Sequence, residues 1–318
     1  MTNKLYLGID TSAYTTSIAV IDENNNIVVD LRKVLEVKEG QKGLRQQEAV
    51  FQHINNMPII IENMTKMIDV NNIDTVSCSS KPRNLPKSYM PVFVVGRGQA
   101  IIISNMLNAK FREYSHQEGH IAAGIMNSEL ESCKNFLSIH ISGGTTELLI
   151  VNNDNKKLDT EIIGGTLDIS VGQLIDRIGV KLNLTFPCGK QMDTIANNGK
   201  ILDINIPIGI KDRTWFNLSG MENLFENLID SNMYKVEDIF STLFYVIGSY
   251  IYKIIFNSSK DYNIDTVLIT GGVSSNSIIR NLLNENLKKH GIMPYFPERK
   301  LCTDNGVGIA YLGKESYI

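Results

Sequence analysis

The chain has 318 residues, enough for two domains that each bury a core of their own. Its 43% hydrophobic and 20% charged content and formal net charge of -3 describe a globular protein without a bulk basic field, so nucleic-acid binding would need a local patch. Cys78, Cys133, Cys188 and Cys302 form no CxxC pair, which argues against a zinc knuckle and for free thiols in a reducing compartment.

In chain order, MTNKLYLGIDTS enters a strand-like run without the regions of a signal peptide. LGIDTSAYTTSIAVI at 7–21 reads as two apolar strands around a small polar turn. LSIHISGGTTELLIV at 137–151 repeats the pattern at a constant offset of 130, matching Leu7 with Leu137, Ile9 with Ile139, Ser12 with Ser142 and Thr15 with Thr145. Between the copies, NNIDTVSCSS reads as a strand, KPRNLPKSYMP as a loop and VGRGQAIIISNMLNA as a helix with its small residues toward a neighbour. FVVGRGQAIIISNML is too short and too interrupted to span a bilayer, so a cytoplasmic protein without membrane contact is expected. Further on, YNIDTVLITGG is a strand ending in a glycine pair, and SSNSIIRNLLNENLKKH is an amphipathic helix capped by Ser or Asn. This alternation points to α/β domains, and two facing hairpins of this kind suit a ligand cleft between them.

HQEGH at 116–120 spaces His116 and His120 four apart, on one face of a helix and close enough for one metal ion, with a surface or capping role equally open. Its Glu is in the third position, which matches neither HExxH nor HxxEH and argues against those peptidases. Near the C-terminus, LCTDNGVGIAYLG places Thr303 or Asp304 where a helix cap would be, and Asp304 is also a candidate third ligand. The SGG turn at Ser142, Gly143 and Gly144 offers backbone amides to a phosphate. TGGVSSN brings Asn276 to the carboxyl end of a strand, where base or ribose contact and helix capping are both open roles. GGTLDISVGQLIDRIG is read as setting Asp168, Gly172 and Asp176 on one helical face, and FPCGKQMD as a turn leading into a helix that carries Asp193.

Seven motifs in order, GIDTS, HQEGH, SGGTTEL, TLDISVGQLIDR, FNLSG, GGVSSN and CTDNGVGIAYLG, resemble the TsaD/YgjD family, the tRNA N6-adenosine threonylcarbamoyltransferases once described as O-sialoglycoprotein endopeptidases. The resemblance covers nearly the whole chain; DISVGQLIDR and GLRQQEAVFQH look closer to the archaeal and eukaryotic branch. It implies an α/β, actin-like ATPase (ASKHA) fold of two related RNase H-like domains with a ligand cleft between them. The expected division is 1–108 plus 297–318 for the first domain and 109–296 for the second. It also implies one divalent metal, iron or zinc, on His116, His120 and Asp304, which would carry the catalysis. Threonylcarbamoyl-adenylate or ATP would sit on Ser142, Gly143, Gly144, Asp176, Gly189, Asp193 and Asn276. The activity implied is transfer of threonylcarbamoyl to N6 of adenosine 37 in tRNA, with protein partners that are a paralogue and small ATPase or a kinase-like subunit.

The chain departs from that pattern at three places. Ala13-Tyr14-Thr15-Thr16 replaces the Asp-Glu that many relatives carry, Ser79-Ser80-Lys81-Pro82-Arg83 replaces a Gly-Pro-Gly loop, and Thr145 stands where a His is common. These changes lie mainly on the acceptor side, which suggests a divergent paralogue with an altered acceptor. A non-catalytic actin-like scaffold is the alternative, although a scaffold has no reason to keep the metal set together. A metallopeptidase and a sugar or acetate kinase fit less well.

Overall fold

The computed structural model describes residues 4–12, 14–37, 43–154 and 157–315; Ala13 therefore lies outside the described residues. The chain begins as an antiparallel meander, β1 (Leu5–Ser12), β2 (Thr15–Asp22) and β3 (Ile27–Val34). Helix α1 (Gln46–Thr65), β4 (Ile73–Lys81), α2 (Val92–Leu107) and β5 (Lys110–Ser115) follow. β4 lies parallel to β1 and β5 parallel to β4, so the first sheet runs β3-β2-β1-β4-β5. β5 hydrogen-bonds in this sheet, so residues 110–115 continue the first sheet beyond position 108.

After α3 (His116–Ile125), the second half opens on another meander, β6 (Asn135–Ile141), β7 (Thr146–Asp154) and β8 (Lys157–Thr166). It continues through α4 (Val171–Lys181), α5 (Gly189–Ala196), β9 (Trp215–Phe216), α6 (Ser219–Asp230), α7 (Val236–Tyr262), β10 (Thr266–Thr270), α8 (Ser277–Lys289) and β11 (Met293–Tyr295). The second sheet runs β11-β10-β6-β7-β8-β9, with β10 parallel to β6. Two short helices, α9 (Arg299–Cys302) and α10 (Val307–Glu315), close the described chain.

The internal repeat is reproduced down to its register. Leu7 pairs with Val20 and Ile9 with Ile18 in the first hairpin; Leu137 pairs with Ile150 and Ile139 with Leu148 in the second, each partner displaced by the same 130 positions. A one-residue slip would turn every apolar side chain to the wrong face, so the shared register reflects the shared burial pattern.

Among the described residues, the larger apolar cores hold these layers. The first sheet packs Leu7, Ile9, Ile18 and Val76 against Met57 and Met64 of α1 and Ala100 of α2. The second sheet packs Leu137, Ile139 and Ile269 against α4 through α8. Between the sheets, α3 and α10 form a central layer in which Ile121, Ala122, Val307 and Ala310 meet Ala19, Phe136 and Leu268. α7 is long and apolar enough to cross a membrane, but 72% of its apolar window is buried in the second core, the environment of an internal helix.

The central layer needs glycine. A Cβ at Gly308 of α10 would run into the carbonyl of Gly119 and the amide nitrogen of Ala123 on α3. That approach brings the loop before α10 against the first turns of α3.

Candidate metal and nucleotide site

α3 starts at His116 because Ser115 caps it: Ser115 Oγ accepts from the Glu118 amide at 3.1 Å, and Glu118 Oε2 accepts from the Ser115 amide at 2.7 Å. The Glu inside HQEGH is thus the distal half of a capping box. Its place in the pentapeptide is explained by the helix start.

The loop before α10 resolves in a similar way. Asn305 is the cap, its Oδ1 accepting from the amides of Val307 at 3.0 Å and Gly308 at 3.3 Å. This corrects the expectation that Thr303 or Asp304 fills that role, and it leaves the Asp304 carboxylate facing the histidines.

Three donors converge there. His116 Nε2 and His120 Nε2 are 3.1 Å apart, and Asp304 Oδ1 is 3.6 Å from the first and 3.4 Å from the second. Ligand atoms at about 2.0–2.2 Å from a tetrahedral metal stand about 3.3–3.6 Å from one another. The triangle, with edges of 3.1, 3.4 and 3.6 Å, is close in size to one face of such a tetrahedron. Two imidazoles and a carboxylate are also a donor set that suits zinc or iron.

The same close approach sets the electrostatics of the cluster. Asp304 is half-buried, which opposes its charge, but His120 and His116 outweigh this and hold its carboxyl well below the usual carboxylate range. Burial disfavours a charged His116 as well, yet Asp10, 3.0 Å from its Nδ1, and then Asp304 raise it to about 9. His120 is shifted down, first by burial and then by its charged neighbour His116.

Two buried residues in this cluster carried no role in the sequence reading. His140, on β6, has its ring centroid 4.5 Å from that of His120 and its Nδ1 3.3 Å from Thr270 Oγ1. Burial, then His120 and His116, keep it well below the usual imidazole value. Asp10, on β1, is wholly buried. The signal for both was a charged or titratable residue inside an apolar strand, in LGID and LSIHI.

Two residues beyond His140, the β6–β7 turn begins at Ser142, whose amide donates to Thr145 O at 2.9 Å. A Cβ on Gly143 or Gly144 would meet nothing within 4 Å, so this stretch of backbone faces open space. The start of α4 holds the turn from below: Ser170 Oγ donates to Gly143 O at 2.8 Å and the Gly172 amide to Ser142 O at 3.2 Å. What Gly172 makes room for is the turn itself, since a Cβ there would stand 2.5 Å from Gly143 Cα.

Asp168 lies ahead of α4 rather than on its face, contrary to the sequence reading, and accepts from the amides of Leu218 and Ser219 at 2.9 Å each. Asp176 does lie on α4; burial raises its pKa to about 6, although the Cys188 amide donates to Oδ1 at 2.8 Å. Gly189 opens α5, and Asp193 on the same helix accepts from the Ser277 amide at 3.0 Å and its hydroxyl at 2.7 Å. Asn276 caps α8 through Oδ1, while its buried Nδ2 has no partner among the described residues. Asp193 thus bonds the residue after Asn276, and Asp176 the residue before Gly189.

The substituted segments also find partners. Tyr14 and Phe186 have ring centroids 5.5 Å apart, and Arg83 grips Glu147 through two nitrogens at 2.5 and 3.1 Å. Gln117 Nε2 donates to the same Glu147 at 2.8 Å. Burial raises the Glu147 pKa, and Arg83 opposes the rise.

The TsaD family model, described as tRNA N6-adenosine threonylcarbamoyltransferase, matches residues 32–311. The chain belongs to the TsaD family. A tRNA N6-adenosine threonylcarbamoyltransferase of Thermotoga neapolitana is 28% identical over 313 residues, covering 97% of this chain and 93% of that one. The protein of the same name from Staphylococcus epidermidis is 30% identical over 327 residues, 99% of this chain and 92% of that one.

Solved structures extend the likeness to the fold alone. HypF of T. kodakarensis superposes with a TM-score of 0.63 at 15% identity over 98% of this chain, which spans 47% of the HypF chain. Component A of the Acidaminococcus fermentans (R)-2-hydroxyglutaryl-CoA dehydratase gives 0.59 at 13% identity, with 98% of both chains covered. A ROK family glucokinase from Streptomyces griseus gives 0.57 at 10% identity, over 98% of this chain and 100% of that one. The two meanders and their central helices are the actin-like ATPase fold.

Proposed function

We propose that the chain is a metal-dependent transferase that moves threonylcarbamoyl from threonylcarbamoyl-adenylate to N6 of adenosine 37 in tRNA. The observation that carries this reading is the triangle of His116, His120 and Asp304, whose edges have the size of a metal's coordination face. His116, His120 and Asp304 would hold a divalent zinc or iron ion. When bound, the ion supplies a Lewis acid that polarises the threonylcarbamoyl carbonyl.

The chain's own groups do the rest. The Gly143 amide, whose neighbours Ser142 and Gly144 donate within the turn, would hold the phosphate of the AMP that leaves as N6 gives up a proton and forms its bond to the carbonyl carbon. Asp176 and Asp193 would accept from ribose hydroxyls, and the buried Asn276 Nδ2, without a partner among the described residues, would donate to the nucleotide. His140, kept neutral by burial, packs on His120 and shields the set from water on the β6 side.

One observation bears on the acceptor. The Tyr14–Phe186 pair fills, with an aromatic contact, a place where many relatives carry acidic residues, which favours an altered acceptor within the same chemistry. A scaffold reading is disfavoured by the intact donor set, and a peptidase reading by the engagement of Glu118 in its capping box.

The reading also calls for partner subunits in a cytoplasmic complex. The surface that suits a paralogous subunit is the outer face of α1 and α2, where Phe51, Ile54, Val94, Ile102 and Met106 are 51–80% exposed. Phe51→Asp with Ile102→Asp should abolish such a complex in size-exclusion chromatography and leave metal content unchanged. A complex that survives both changes assigns the contact elsewhere.

The deciding assay incubates the protein, with its partners, with threonylcarbamoyl-adenylate and unmodified tRNA. Modified adenosine should form with wild type and fall at least about a hundredfold with His120→Ala, which should also lose its metal. No modified adenosine with metal-loaded wild type would reject tRNA as acceptor.

A further inference from the structure

Asp10 holds a wholly buried carboxylate that the transfer chemistry above leaves without a role. Its Oδ1 lies 3.0 Å from His116 Nδ1 and accepts from Ser79 Oγ at 2.5 Å. An anion in so dry a place is costly unless hydrogen bonds and a cation hold it, so its presence asks for a reason.

That reason lies in the imidazole. A carboxylate only accepts, so the His116 nitrogen facing Asp10 keeps its proton, and the other nitrogen is the one that sheds its proton and offers a lone pair when a cation binds. That other atom, Nε2, is the one 3.1 Å from His120 Nε2 and 3.6 Å from Asp304 Oδ1. A partner on the far ring nitrogen is the usual way to fix both the tautomer and the rotation of a ligating histidine.

We propose that Asp10 is a positioning residue for the metal set: it holds His116 in the Nδ1–H tautomer with Nε2 turned to the shared centre, and Ser79 holds Asp10 in place. This rests on the metal reading above. His120 differs, because its Nδ1 has no partner among the described residues, so His116 is the imidazole anchored from behind. Ser79 opens the segment that stands where relatives carry Gly-Pro-Gly, and Pro82 O in that segment accepts from the Gln117 amide at 3.1 Å. The replaced loop therefore supports α3 twice, once through Asp10 and once directly.

The first measurement uses the full-length protein, labelled with 15N at histidine and loaded with Zn2+ alone. Ring-nitrogen correlation spectra should show His116 with its proton on Nδ1 and Nε2 shifted as a metal-bound nitrogen. A proton on Nε2 with Nδ1 ligated overturns the proposal.

The second uses Asp10→Asn. Its Zn2+ affinity, read by competition with a chromophoric chelator, should fall about ten- to hundredfold, and the visible spectrum of its Co2+ form should change. Ser79→Ala should change both in the same direction by less. A purely structural role would lower the melting temperature of Asp10→Asn and leave affinity and spectrum unchanged, which also overturns the proposal. Where Asp10→Asn yields no folded protein, the wild-type tautomer decides. A wild-type chain that takes up neither ion refutes the metal reading and this proposal together; one that binds with His116 reversed refutes the proposal alone.

Discussion

Asp176 carries a carboxyl whose pKa burial raises to about 6, above the value near 3.9 of an unfolded chain. A raised carboxyl pKa means that the folded state holds the proton more tightly. Its contribution to stability is therefore complete below about pH 4 and is lost as pH rises through 6. Asp176→Asn removes that loss and can still accept from the Cys188 amide. The ligand-free variant should be more stable than wild type by about 1–2 kcal/mol at pH 7.5, after allowance for partial solvation, with little difference at pH 4. Melting curves at the two pH values check this; a gap that does not widen with pH would clear burial of blame. On the proposed function the same variant should bind the nucleotide more weakly, which would make Asp176 a residue kept for its ligand at a cost to the fold.

At the scale of elements, the approach of α10 to α3 is the feature that sets the site. Gly308→Ala should destabilise the chain by about 1–3 kcal/mol, because the added carbon meets rigid backbone on α3. Metal content should fall with it, since the loop carrying Asp304 is displaced. Gly209→Ala, where a Cβ meets nothing within 4 Å, is the control and should leave the melting curve unmoved. Much of this was legible in the sequence: the 130-residue repeat forecast both hairpins, and the spacing of His116 and His120 forecast a shared helical face. What escaped was local competition between neighbours. Thr303, Asp304 and Asn305 are all good caps, and only the three-dimensional path shows that Asn305 takes the amides. Asp10 and His140 escaped because each looks like one polar residue in an apolar strand until the other strands are placed around it.

Across the whole molecule, Arg83 and Glu147 join the loop after β4 in the first sheet to β7 in the second. The Arg83 side chain is 35% exposed, so the pair is partly screened by solvent. Arg83→Ala should cost less than about 1 kcal/mol in thermal stability. It should still speed amide exchange at Gln117 and its neighbours, because Gln117 shares the same carboxylate. Equal exchange in the variant would show that the link between the halves runs elsewhere.

The proposed coordination triangle takes two corners from one turn of helix and the third from a loop almost two hundred positions later. Such a contact has a very high sequence separation, so its closure entropy is met late, after the sheets on either side have formed. Until then a growing chain offers only the adjacent histidines, a weak and undiscriminating trap for any soft or borderline ion. Selection of the correct ion would therefore follow folding, and the loaded site would mark a chain whose two halves have already found each other.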